Sequence, residues 1–173
     1  MTQESLFFKK LTEEDYVSDF ACGPEPWQKD VSDFLVEDAL TQQGLGLNVT
    51  WLCSSGTDFK GYVSLSAGSI RIEHGSKWRS LLRLDPIPYK EVPCILIGRL
   101  AVHENAQRQG IGKFMLSWVR GLASSQDIGA KLLVLQVENR NKTARVFWKS
   151  QGFTNFEPQS GSKNTFMVYD LCQ

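Results

Sequence analysis

Apolar residues along this chain recur with two periods, and the change of period marks its elements. From Ile111 they fall at Phe114, Met115, Trp118, Val119 and Leu122, the spacing of an amphipathic helix. The preceding stretch, Cys94–Val102, is almost unbroken apolar sequence, which predicts a strand covered on both faces. Lys131–Glu138 reads as the next strand, with Gly129 in the connection. That β–α–β order predicts a right-handed crossover. A further helix is predicted over Lys142–Ser150, stopped by Gly152, and Asn164–Leu171 closes the chain as a strand.

The first half carries weaker patterns. Ser5–Leu11 predicts a strand. Asp30–Gln43 predicts a helix with Val31, Phe34 and Leu35 on one face, ended by Gly44 and Gly46. Leu47–Cys53 and Phe59–Ser66 read as two strands around a turn at Ser54–Asp58. Ala67–Pro93 is less regular, with a short helix predicted at Lys77–Leu84 before Pro86, Pro88 and Pro93 interrupt the chain. The sum is an α/β (α+β) fold, a central twisted mixed sheet flanked by helices. No repeat, low-complexity tract or linker divides the chain, so residues 1–173 are expected to form a single domain.

Composition narrows the function classes. Nineteen basic residues balance nineteen acidic ones, so no global charge draws the chain to nucleic acid or anionic membrane. Arg71, Lys77, Arg79 and Arg83 would form a local basic patch or a solvated face. No apolar run is long enough to span a bilayer, and Met1–Ser5 lacks a signal-peptide layout, so a cytoplasmic location with no membrane contact is expected. The four cysteines are far apart and His74 and His103 are isolated, so no metal site is expected.

The candidate chemistry lies where the apolar strand meets the helix. Gln107, Arg108, Gln109, Gly110, Ile111, Gly112 and Lys113 place a glycine turn at a helix start, where free N–H groups and the helix dipole suit phosphate. A nucleotide P-loop fails here, because Gln107 replaces its first glycine and Phe114 its magnesium-binding hydroxyl. A dinucleotide fold fits poorly, since Met115 holds the place of the third glycine, although Glu138 ends the next strand where a ribose-binding acid would sit. Acyl-coenzyme A is the third class.

Here the sequence resembles the GNAT superfamily of N-acetyltransferases. Gln107–Gly112 matches its signature Gln/Arg-x-x-Gly-x-Gly/Ala, preceded by the strand segment Gly98–Val102. Asn141, Ala144, Phe147, Trp148, Gly152 and Phe153 match Asn-x-x-Ala-x-x-Phe/Leu-Tyr-x-x-x-Gly-Phe, with one departure. The resemblance implies the GNAT-type acyl-CoA N-acyltransferase fold with acetyl-CoA as cosubstrate. It implies that amides of 109–113 hold the pyrophosphate, with charge from Arg108 and Lys113. Strands 94–102 and 131–138 would splay to admit pantetheine. Backbone at Leu100, Ala101 and Val102 would bind that arm and polarise the thioester, while Asn141 would bond it and Phe147 pack on it or on the core.

The departure is Trp148, where the family usually has a tyrosine that returns a proton to the leaving thiolate. An indole N–H donates a hydrogen bond but cannot usefully release its proton near neutral pH. Catalysis without the dedicated tyrosine is expected, the alternative being a catalytically weak acyl-CoA-binding module. Glu138 is the best-placed base for the attacking ammonium, against the simpler reading of a solvated strand-end carboxylate.

The acceptor is least legible. Phe20–Gly23, Gly61–Ser66 and Gly98–Val102 resemble the GNAT toxins of bacterial toxin–antitoxin pairs, which acetylate aminoacyl-tRNA. The zero net charge and Trp148 stand against that variant, so the expected acceptor is an unassigned small-molecule or macromolecular amine. The family resemblance allows a homodimer and an antitoxin partner. Trp27, Trp78 and Trp118 are the residues considered for an interface.

Overall fold

A computed structural model describes residues 5–125 and 127–172. Its strands are β1 (Leu6–Lys10), β2 (Val49–Ser55), β3 (Asp58–Arg71), β4 (Glu91–Val102), β5 (Leu132–Glu138), β6 (Thr154–Asn155) and β7 (Asn164–Asp170). They follow the order β1-β2-β3-β4-β5-β7-β6 in one mixed sheet. The helices are α1 (Pro26–Asp33), α2 (Ala39–Gly44), α3 (Lys77–Leu81), α4 (Ile111–Ala123) and α5 (Lys142–Ser150). Contacts divide the chain into two compact units. The first comprises the residues up to Ser66 with Ile97–Val119, the second Ala67–Leu96 with the residues from Arg120 onward.

In the first unit, β1 and β2 pair antiparallel, as do β2 and β3 across the turn at Gly56, whose φ is 57°. Leu52 and Tyr62 share one face and pack with Phe34, Leu35, Ala39 and Phe20. The helix bearing Phe34 starts earlier than its apolar period predicts. Pro26 stands at its first position, where a missing N–H costs nothing, and the Gln28 side chain accepts from the Glu25 N–H at 3.0 Å. Between α1 and α2, residues Phe34–Asp38 widen into a π turn, with the Ala39 N–H bonded to the Phe34 carbonyl.

Backbones approach very closely at Gly61. A Cβ there would lie 2.4 Å from the Ala101 carbonyl oxygen, and 3.2 Å from Met115 Sδ and Val102 Cα. Gly61→Ala therefore forces main chain, not a flexible tip, to move. We expect a loss of about 1–3 kcal/mol, read as a melting temperature roughly 3–10 °C lower. A melting curve unchanged within a degree would mean that the strands absorb the methyl freely.

In the second unit, β7 pairs antiparallel with both β5 and β6. Leu132, Val134, Val168 and Phe156 form a core with Val92, Cys94, Ile70 and Trp78. The expectation that β4 is covered on both faces is corrected. Its first half alternates, with Glu91 and Pro93 exposed and Val92 and Cys94 buried, and from Ile95 most residues are only half-buried. An apolar run there reflects one core face and one lightly covered face. Pro93 sits within the strand because it needs no partner for a missing N–H, while its carbonyl accepts from Lys131 N–H at 2.9 Å. Burial pushes the Cys53 and Cys94 thiols up to about 11, which keeps them protonated.

Candidate active site

The phosphate-loop candidate is anchored from several sides within the first unit. His103 N–H donates to the Lys60 carbonyl and Glu104 N–H to that of Ala21, each at 2.8 Å. His103 Nδ1 accepts from Asn105 N–H at 3.2 Å and caps the single turn Glu104–Ala106. Gln107 then reaches back, its Nε2 donating to the carbonyls of Cys22 at 2.7 Å and Val102 at 3.0 Å. Its side chain thus clips the loop in place, and what it turns toward a ligand is not that amide.

Beyond Gln107 the backbone twists into the left-handed region twice. Arg108 has φ 64° and Gly110 φ 81°. Alternating hands bring successive N–H groups toward a common point, the geometry of an anion-binding nest. For arginine this conformation costs roughly 1–2 kcal/mol, and such strain gathers at ligand clamps. The first helical bond of α4 is Phe114 N–H to the Gly110 carbonyl at 3.0 Å. Among the described residues, the amides of Arg108, Gln109, Gly110, Ile111, Gly112 and Lys113 have no protein acceptor. Ile111 is buried and roots the helix, while Arg108, Gln109 and Lys113 are exposed. A Cβ at Gly110 would meet nothing within 4 Å, so the protein leaves that approach open. These residues suit a diphosphate.

On β4, Ala101 is buried and Leu100 and Val102 are half-buried. Val102 already lends its carbonyl to Gln107, so the strand has less free backbone than its sequence suggests.

The second unit carries the remaining candidates. Glu138 ends β5 opposite Asn164 of β7. Arg140 Nε donates to Glu138 Oε2 at 2.5 Å, and the carboxylate side chain is 41% exposed. It borders an open depression of about 630 Å³ lined also by Asn139, Arg140, Ser162, Lys163 and Asn164. Asn139, which the sequence reading missed, straps that rim. Its Nδ2 donates to the Gly161 and Ser162 carbonyls at 3.0 and 2.9 Å, and its Oδ1 accepts from the Thr165 hydroxyl at 2.5 Å. Only its place next to a strand end could have signalled this.

Asn141 caps α5, its Oδ1 accepting from Ala144 N–H at 3.0 Å, so only its Nδ2 is left for a ligand. Phe147 is half-buried and Trp148 is buried. The indole lies edge-on between Phe147 and Phe153, 5.1 Å from each ring, and Phe153 continues the row to Tyr169 at 5.4 Å. Trp148 therefore serves as core here, whatever its N–H contributes.

Of the two readings of the basic residues, the solvated face holds for Arg71, Lys77 and Arg83, and the structure departs from both readings at Arg79. Arg79 is buried, its guanidinium taken by the carbonyls of Leu84, Ile87 and Tyr89. Arg71 is paired with Glu73 and Glu91, and Lys77 with Glu157. Of the four residues, only Arg83 is an exposed cation without such a pairing among the described residues. Trp78 is buried against Phe156, and Trp118 stacks on Phe8 at 4.1 Å, so both spend ring area inside their own units.

Comparison with known proteins bears on this site. The description "acetyltransferase (GNAT) domain" matches residues 66–155. No curated protein matches the sequence. Among solved structures, the fold is similar to AtaT complexed with acetyl-methionyl-tRNAfMet, at 22% identity and TM-score 0.77, covering 96% of this chain and 95% of that one. It is similar to a mutant of KacT with a tyrosine replaced by phenylalanine, with the same four values. AtaTR bound with acetyl-CoA is similar at 24% identity and TM-score 0.75, covering 96% and 94%. Because the matched region spans more than half of the sequence, this chain belongs to the GNAT acetyltransferases and is an acetyl-CoA-dependent N-acetyltransferase.

Proposed function

We propose that the acceptor is the α-amino group of an aminoacyl-tRNA, and that residues 1–173 work as one acetyltransferase domain. The observation behind the cofactor half of this reading is the run of unpartnered amides from Arg108 to Lys113, with left-handed residues at Arg108 and Gly110. The acceptor half draws support from the toxin folds, which this chain matches over nearly its full length. In this reading the domain is cytoplasmic and homodimeric, and an antitoxin partner restrains it.

Acetyl-CoA supplies a thioester-activated acetyl group. The nest and the Arg108 and Lys113 charges hold its diphosphate. The pantetheine arm would take backbone bonds from Leu100–Val102, a hydrogen bond from the Asn141 Nδ2 and a packing contact from the Phe147 ring. Glu138 takes the proton of the attacking ammonium, its Oε2 steadied by Arg140. The amine nitrogen bonds the acetyl carbon and gives its second proton to water as the carbon–sulfur bond breaks, and that water passes a proton to the departing sulfur.

Labelled acetyl-CoA incubated with aminoacylated tRNA should transfer its label to the amino acid, with none passing to deacylated tRNA. Label on small amines alone would overturn the acceptor. Trp148 bears on rate. General-acid help is worth about 10²–10⁴-fold, and water supplies part of it here. Trp148→Tyr should therefore raise turnover about tenfold or more, measured as thiol release at saturating acetyl-CoA. An unchanged or lower turnover in a folded variant would show that the missing hydroxyl does not limit the reaction.

A further inference from the structure

Arg99 on β4 holds a charge that has, among the described residues, a distant ion-pair partner in Asp30 but no hydrogen-bond acceptor. It shares its strand face with Ile97 and Ala101, both buried in the first unit. Its guanidinium lies 4.2 Å from the centroid of the Phe34 ring, which keeps the plane still. The side chain is 34% exposed. Asp30 Oδ2 stands 3.9 Å from Nη2, too far for a hydrogen bond. Among the described residues the guanidinium donates no hydrogen bond, and its buried Nε is unpartnered. Tyr62, which stacks on Phe34, donates its hydroxyl to the Val31 carbonyl at 2.5 Å and accepts no hydrogen bond from Arg99.

A guanidinium whose buried Nε has no partner costs free energy, and its accessible Nη donors stay open to solvent or to a ligand. The planar fork of a guanidinium fits the paired oxygens of carboxylate or phosphate. Arg99 precedes the Leu100–Val102 segment directly. The cofactor's diphosphate is assigned to the nest at Arg108–Lys113, on the far side of the Glu104–Ala106 turn in sequence. The pantetheine arm carries amides and hydroxyls but no acidic oxygen, and the cofactor's remaining phosphate, on its ribose, lies beyond the diphosphate from the thioester. An oxyanion that meets Arg99 therefore belongs to the acceptor.

We infer that Arg99 grips an acidic oxygen of the acceptor, a phosphodiester oxygen next to the terminal nucleoside when the acceptor is an aminoacyl-tRNA. The inference rests on the acetyltransferase reading above. Asp30, on the exposed side of α1, competes for the same fork when no acceptor is bound.

The test compares two minimal acceptors: aminoacylated cytidylyl-adenosine, with one phosphodiester, and 3′-aminoacyl-adenosine, with none. Arg99→Gln should raise KM for the first roughly 10- to 100-fold, the range for charge-assisted hydrogen bonds. It should leave KM for the second and for acetyl-CoA unchanged. Arg99→Lys should recover only part of the loss, since a point charge lacks the fork. Asp30→Asn, at a 75% exposed side chain, should act in the opposite direction and lower KM for the phosphodiester acceptor. Equal losses with both acceptors, a raised KM for acetyl-CoA, or no change in any variant would overturn the role. Should the unaltered protein acetylate neither nucleoside nor aminoacylated tRNA, the tRNA reading fails by itself. The pair then becomes a free amino acid and its amide: selective loss on the carboxylate supports Arg99, and equal behaviour overturns it.

Discussion

Gly110→Asp is expected to weaken acetyl-CoA binding about 100-fold while lowering the stability of the fold by no more than about 1–2 kcal/mol, the strain of a side chain at a left-handed position. At φ 81°, aspartate and asparagine are the side chains best tolerated after glycine. A new Cβ meets nothing within 4 Å, so no packing is disturbed. A carboxylate at the mouth of α4 also favours the helix by roughly 0.3–1 kcal/mol. The same carboxylate would face the diphosphate. Two like charges 4 Å apart repel by about 4 kcal/mol at an effective dielectric of 20. Solvent screening leaves a little under 3 kcal/mol, or about 100-fold. Calorimetric titration with acetyl-CoA and a melting curve measure both halves. Gly110→Asn has nearly the same shape without the charge and should lose no more than about tenfold. If the aspartate variant binds acetyl-CoA as tightly as the unaltered protein, the diphosphate is not held at this helix mouth.

The largest stability effect is expected at Arg79. This side chain is 2% exposed. Nη1 donates to the Tyr89 carbonyl at 3.1 Å, and Nη2 donates to the carbonyls of Leu84 and Ile87. The segment it serves contains Pro86 and Pro88, which prevent a helix or strand from satisfying those carbonyls. One guanidinium therefore does for this loop what a ladder of amides does elsewhere. Arg79→Met keeps much of the volume and removes every donor, leaving the Ile87 and Tyr89 carbonyls without their partner, while the Leu84 carbonyl keeps the Ile87 N–H at 2.9 Å. The expected loss is about 3–5 kcal/mol, a melting temperature roughly 6–20 °C lower. Arg79→Lys should fall in the same direction, because one ammonium cannot reproduce the fork. Denaturant unfolding of both variants gives the number. A loss under 1 kcal/mol for Arg79→Met would mean that water or rearranged backbone replaces the guanidinium.

Arg79 also shows where a linear reading fails. As sequence, Lys77-Trp-Arg79 with Arg71 and Arg83 looks like a basic surface. Whether an arginine faces water or three carbonyls depends on where Leu84, Ile87 and Tyr89 return in space, and no local pattern encodes that. Arg71 and Lys77 are likewise claimed by Glu91 and Glu157, twenty and eighty residues away in sequence. At Arg108 the amino acid gives no warning of its left-handed backbone, which tertiary anchoring through Gln107 and His103 accompanies.

By itself, the sequence determined the elements whose signals are short-ranged. Asn141 and Gly152 bracket Lys142–Ser150, the helix observed there, because a cap and a left-handed stop act within one turn. The apolar run followed by a glycine turn and a helical stripe likewise located β4, the turn after it and α4. Only the tertiary structure decided which polar groups are already spent. Gln107 is bonded to Cys22, 85 residues away, Asn141 is committed to its own helix, and Arg99 has no hydrogen-bond acceptor among the described residues. Periodicity reports which way a side chain faces; its partner is set by chain that returns from far along the sequence, and that partner decides which groups remain free to bind a substrate.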